Sequence, residues 1–363
     1  MTTSQDDKYY NKTIYGIKDD ALRYGWAGYF VFVIISSLVG DTTIFIASLK
    51  YKTFNLHRVI VVIIQHIAIC DLMVTVTEVL PRTVTLISNG WVFKSLLCYL
   101  TPYTGYYLNG ASILLICNMT ISKLLLLKYP LQFGTTSQKK AHMFCVACWL
   151  TPGVLPITGF LLTLLDGQDT YFSYISYFCT AGFTSDTWRW LKPLITVLFM
   201  LIPNGVVVGT TIYLLVIAKQ VACRGRVSLK WQGIMTTVLT ATVQCISVLS
   251  FAVYFIGEPF VTVYEKRSSF FHTSFLRLAI SFFHLNTISN FYIYSLSINS
   301  FRDFIRSKIQ QAYRKFTSIG TSANCGIIEL YNQIQFNIKI ISADIKRFSH
   351  FSRIIYPHQK YTT

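Results

Sequence analysis

Seven stretches of this chain, at roughly residues 25–49, 59–80, 96–122, 141–165, 191–218, 231–256 and 273–297, are apolar and long enough to cross a bilayer as helices. Within hydrocarbon each backbone N–H and C=O must be paired inside its own segment, so such runs fold as helices. Seven of them predict an all-α membrane protein, a seven-transmembrane helix bundle. Composition agrees: 13% of residues are charged, where soluble chains carry about 25%. Residues 1–24 are polar, do not read as a cleavable signal, and contain the sequon Asn11-Lys12-Thr13. An extracellular amino terminus glycosylated at Asn11 is expected.

Charge asymmetry sets the orientation. The loops after segments 1, 3 and 5 hold 3, 4 and 4 Lys or Arg, and the tail from Arg302 holds 10, so one side has 21 of the 32 basic residues. That side is predicted to be cytoplasmic. Anionic headgroups of the lipid bilayer and a cytoplasmic partner account for the pI near 9.5, and no nucleic-acid partner is expected. The expected division is an extracellular terminus (1–24), the bundle (25–298), an amphipathic membrane-surface helix (299–316) and a cytoplasmic tail (317–363). Cys70, Cys117, Cys145, Cys148 and Cys245 fall within spans, as packing residues. Cys98 and Cys179 fall on the oxidising, outer side.

Several short runs stand in a fixed order. Asn290-Phe291-Tyr292-Ile293-Tyr294 closes the last span and is followed by Phe301-Arg302; Cys70-Asp71-Leu72 lies in segment 2 and Ser122-Lys123-Leu124 ends segment 3, with Tyr129-Pro130-Leu131 beyond; Trp149 and Pro203 lie in segments 4 and 5. Asn290 and Tyr294 share a helix face. Asp71 is a carboxylate at membrane depth, where charge is costly and functional. In order and spacing these landmarks resemble those of rhodopsin-like (class A) G-protein-coupled receptors, over roughly residues 25–310.

The resemblance implies a receptor that passes the binding of an extracellular ligand to heterotrimeric G proteins, with arrestin and receptor kinases as further partners; in the tail Ser318, Thr321 and Ser322 are candidate phosphorylation sites of a kind common in any tail. It implies a Cys98–Cys179 disulfide. It also implies a polar pocket of Asp41, Asp71, Ser112, Asn286 and Asn290, with Na+ at Asp71 as an allosteric ion and no other cofactor; a neutral hydrogen-bonded cluster without an ion is the competing reading. Two nearby buried carboxylates do not both ionise, so Asp41 is expected to be protonated and to donate a hydrogen bond. Ser122, Lys123, Leu124, Asn290, Tyr294 and Phe301 take the places of the activation and G-protein-coupling residues.

Departures from the family pattern are equally clear. Phe291 replaces a proline. Ser122 cannot form the carboxylate pair that restrains the family's arginine, and Lys123 lacks the guanidinium fork. Segment 6 has neither the family's Trp nor its Pro, leaving Phe251 as the candidate aromatic switch. Weak, constitutive or lost coupling is therefore the alternative reading.

Gly105 stands where amine receptors carry an Asp, and no Lys lies between Lys266 and Lys308 to hold retinal. A peptide ligand, and a receptor of neuropeptide type, is favoured over amine or retinal. Tyr99, Tyr103 and Tyr106 follow helical spacing and suit either packing or a pocket wall. Tyr103, Tyr106, Arg277 and His284 are the ligand-pocket candidates, with a hydrogen-bonded core role as the competing reading of His284. Asp41 and Asp71 lack the sequence context of an intramembrane aspartyl protease, and no paired broken helices suggest a transporter. No enzyme activity is expected.

Overall fold

The computed structural model describes residues 20–49, 56–93, 95–154, 157, 170–173, 177–181, 194, 196–223, 231–264 and 270–319. Asn11, Thr321 and Ser322 and most of the tail lie outside them. Helix α1 is Asp20–Ser48, α2 is Arg58–Ser88, α3 is Ser95–Lys128 and α4 begins as Gln138–Leu150. Helix α5 is Ile202–Cys223, α6 is Trp231–Tyr264, α7 is Phe270–Ser297 and α8 is Asn299–Ile319. Strands β1 (Thr170–Ser173) and β2 (Phe178–Ala181) form an antiparallel hairpin that pairs Phe172 with Cys179.

Each predicted apolar segment contains helix, and five helices among the described residues are long and apolar enough to span a membrane. The protein is an all-α, multi-pass membrane protein. Neighbours in the bundle are α1 with α2 and α7, α2 with α3 and α4, α3 with α5 and α6, and α6 with α5 and α7. Helix α3 thus touches elements on several sides. On α1 the side chains of Val31, Phe32, Ile35 and Val39 point outward, as an apolar lipid-facing surface requires.

Three local features correct the sequence reading. Helix α2 runs eight residues past the predicted end at 80, through Pro81 and Arg82, to an Asn89 cap with φ 54°. Asparagine tolerates that left-handed backbone. A π-turn, Thr75–Val79, widens α2 just before Pro81, and a second, Val197–Leu201, stands just before Pro203. Proline lacks an N–H and its ring crowds the preceding turn, and a wide turn relieves both problems. Helix α3 runs on past the predicted end at 122, to Lys128.

Small residues allow close approach between helices. A Cβ on Gly110 of α3 would stand 2.8 Å from Cβ of Pro152, in the 3-10 turn after α4. Helix α8 follows a break at Ile298 and covers the predicted 299–316. The chain divides into two compact units, Met1–Ser300 and Phe301–Thr363. Within the second, Arg306 pairs with Asp303 at 3.9 Å, Lys308 lies over Phe304, and Phe301 is buried.

Candidate functional site

Helix α2 presents Asp71, Thr75, Glu78 and Arg82 to the interior, and all four are buried. Their spacing, i, i+4, i+7 and i+11, is that of one helical face. This polar stripe divides into an inner cluster at Asp71 and an outer pair, Glu78 and Arg82.

At the inner cluster Asn290 Nδ2 of α7 donates to Asp71 Oδ2 at 2.9 Å. Asp71 lines a small cavity with Asn109, Ser112, Gln244, Ser247 and Asn286. Ser112 Oγ, Asn286 Oδ1, Asn290 Oδ1 and Gln244 Oε1 are buried without a hydrogen-bond partner. Several unpartnered oxygens around one carboxylate form a donor set suited to a small hard cation. Four of the five predicted pocket residues, Asp71, Ser112, Asn286 and Asn290, are brought together.

Asp41 is placed differently. It does not line the cavity, and its Oδ2 accepts a hydrogen bond from Ser37 Oγ at 2.6 Å. Thr75 Oγ1 lies 2.7 Å from Ser37 Oγ and 2.9 Å from the Asp71 carbonyl, so hydroxyls connect the two aspartates. The Ser37-to-Asp41 spacing of one helical turn was the available signal for this arrangement.

Toward the far end of α3, Ser122 Oγ bonds Asn118 Oδ1 at 3.3 Å, and Lys123 Nζ is buried without a hydrogen-bond partner. Leu124 packs on the cluster of Leu214, Ala218 and Ile234 from α5 and α6. Buried Tyr294 directs its hydroxyl toward Met119 Sδ at 4.0 Å. Phe251 stacks on Phe283 of α7, with ring centres 4.6 Å apart.

The outer pair lies between this core and the hairpin. Asn109 Nδ2 donates to Glu78 Oε1 at 2.9 Å, and a Cβ on Gly105 would stand 3.4 Å from Glu78 Cδ. Glu78 thus lies within van der Waals reach of α3 at Gly105. The Arg82 guanidinium lies 4.7 Å from the Phe178 ring centre and 5.9 Å from that of Phe30. Its Nε and Nη1 are buried without hydrogen-bond partners. Phe178 is held here by the Cys98–Cys179 disulfide, which ties β2 to the start of α3.

Of the predicted ligand contacts, Tyr103 is buried and Tyr106 and Arg277 are half-buried. The side chain of Tyr99 lies outside the described residues. His284 is buried edge-on to Phe30 at 5.8 Å, and its Nδ1 has no hydrogen-bond partner. The predicted end of segment 2 at residue 80 left Arg82 outside the span, although Asp71 and Arg82 lie on one helical face. Asn109, three residues before Ser112 on α3, was legible by the same rule.

A seven-helix bundle with a buried Asp71–Asn290 bond between α2 and α7 and a disulfide from α3 to a hairpin defines a class of membrane receptor. Residues 40–294 match the 7 transmembrane receptor (rhodopsin family), and the chain belongs to that family of receptors, which are not enzymes. Octopamine receptor beta-1R of Drosophila melanogaster is 20% identical over 125 residues, covering 34% of this chain and 24% of that receptor. The match thus spans about a quarter of that relative's length.

Proposed function

We propose that the chain is a plasma-membrane receptor, amino terminus outside and carboxyl terminus inside, that transmits binding of an extracellular peptide to heterotrimeric G proteins. The observation that carries the reading is the Asp71–Asn290 bond beside a cavity of unpartnered oxygens. That cluster joins α2 to α7 and touches α3 and α6, so a change in its contacts moves several helices together. Asp71, with Ser112, Asn286 and Asn290, would hold Na+, which would favour one packing of these helices.

The hairpin supports the peptide class, because a strand edge suits pairing with an extended chain. An amine is the second reading, and one observation favours it: the Glu78 carboxylate stands beside Gly105. The test is surface expression with G-protein and arrestin recruitment recorded without ligand, then against peptide, lipid and amine panels. Activation by peptides alone supports the proposal; activation by amines alone replaces it with the second reading. Surface expression with no recruitment under any condition removes the signalling role.

A further inference from the structure

The outer pair on α2 has an uneven hydrogen-bond account. The Glu78 carboxylate accepts its hydrogen bond from Asn109, and Arg82 one turn away offsets its charge. Arg82 is 6% exposed, yet its Nε and Nη1 have no acceptor. A guanidinium cannot give up its charge, and buried N–H donors left without an acceptor are costly even where a counter-charge stands nearby. Ring faces of Phe178 and Phe30 flank the group and stabilise its charge in part. They accept none of its N–H bonds.

A carboxylate matches such a group in charge, and its oxygens can accept the N–H bonds that now have no acceptor. The guanidinium lies over the ring of Phe178, the hairpin residue next to the disulfide, so the ligand would enter from the hairpin side. We propose that Arg82 is a ligand-binding residue that takes a carboxylate of the ligand, with Phe178 and Phe30 as the aromatic walls around it. For a peptide this is a free C-terminal carboxylate or an acidic side chain. Glu78, held back by Asn109, faces the same region with the opposite sign and disfavours an anion that does not reach Arg82. The proposal rests on the receptor reading for the existence of a ligand, but its test does not depend on signalling.

The test uses three probes with one phenol and three charges: N-acetyltyrosine, an anion; N-acetyltyrosinamide, neutral; and tyramine, a cation. Each is added to the purified full chain in detergent and the melting temperature is read. N-acetyltyrosine is expected to raise it by about 2–4 °C at several times its dissociation constant, and the other two to leave it unchanged. Arg82→Gln abolishes the rise, while Arg82→Lys, which keeps the charge without the fork, retains part of it. The comparison of acid and amide on the native chain stands even if a variant does not fold. Stabilisation by tyramine alone assigns recognition to Glu78 and overturns the proposal. Equal responses to acid and amide, or no response to the acid, also overturn it. A chain that shows the acid preference but recruits no G protein leaves this inference intact and removes the signalling reading instead.

Discussion

Phe291 of α7 lies directly against the backbone of Gly40 on α1: a Cβ added at Gly40 would stand 2.7 Å from Phe291 Cβ and 2.9 Å from its Cγ. The residue that departs from the family's proline is thus accommodated by the absence of a side chain one helix away. A methyl group at that contact must displace a ring packed between two helices. Gly40→Ala is expected to destabilise the protein by about 1–3 kcal/mol. Pairing it with Phe291→Gly should recover much of that loss. Melting temperatures of the two single variants and the double variant give the coupling, and simple additivity would refute the contact's importance.

The Asp71–Asn290 bond makes the next prediction. Asn290→Ala removes the donor and leaves a buried carboxylate oxygen unpaired, at a cost of about 1–3 kcal/mol. If the cavity holds Na+, replacing choline chloride by sodium chloride at constant ionic strength raises the melting temperature of the native chain. The Asp71→Asn variant should show no such rise. A sodium response that survives this change would place the ion elsewhere.

Lys123 Nζ has no hydrogen-bond partner in the interior. Replacing it by Met, which keeps the stem and removes the ammonium, is expected to stabilise the protein by roughly 1 kcal/mol or more. Ser122→Asp would supply a carboxylate where Ser122 now bonds Asn118. Basal G-protein recruitment should then fall relative to the native chain. Identical basal activity in the two proteins would remove charge restraint as the reason for any constitutive signalling.

The disulfide closes a long loop, with 81 residues of sequence separation between Cys98 and Cys179. Cys98→Ser is expected to cost about 2–5 kcal/mol and to release the hairpin that carries Phe178. Surface expression and melting temperature report the first effect. Loss of the N-acetyltyrosine response in whatever protein still folds reports the second.

Much of this architecture was legible in the chain because its physical causes are local. A span of apolar residues must be helical in lipid whatever surrounds it, and Asn290, Tyr294 and Asp71 carry their meaning in spacing along single helices. The ends of α2 and α3 were not legible. Whether a helix continues through Pro81, or past Lys123, depends on whether neighbouring helices shelter the residues that follow.

The sequence alone therefore determined that this is a bundle of membrane helices with a polar centre and a disulfide on one side. Only the tertiary structure decided what each polar group faces. Arg82 reads as a cation outside the span until a π-turn and the continuing helix bury it beside Phe178 and Phe30. Gly105 reads as a missing carboxylate until Glu78 is seen beside it, and Gly40 is unremarkable until Phe291 lies on it. Helical periodicity is a property of neighbouring residues in the chain. Desolvation and contact depend on residues that folding brings together from distant parts of it.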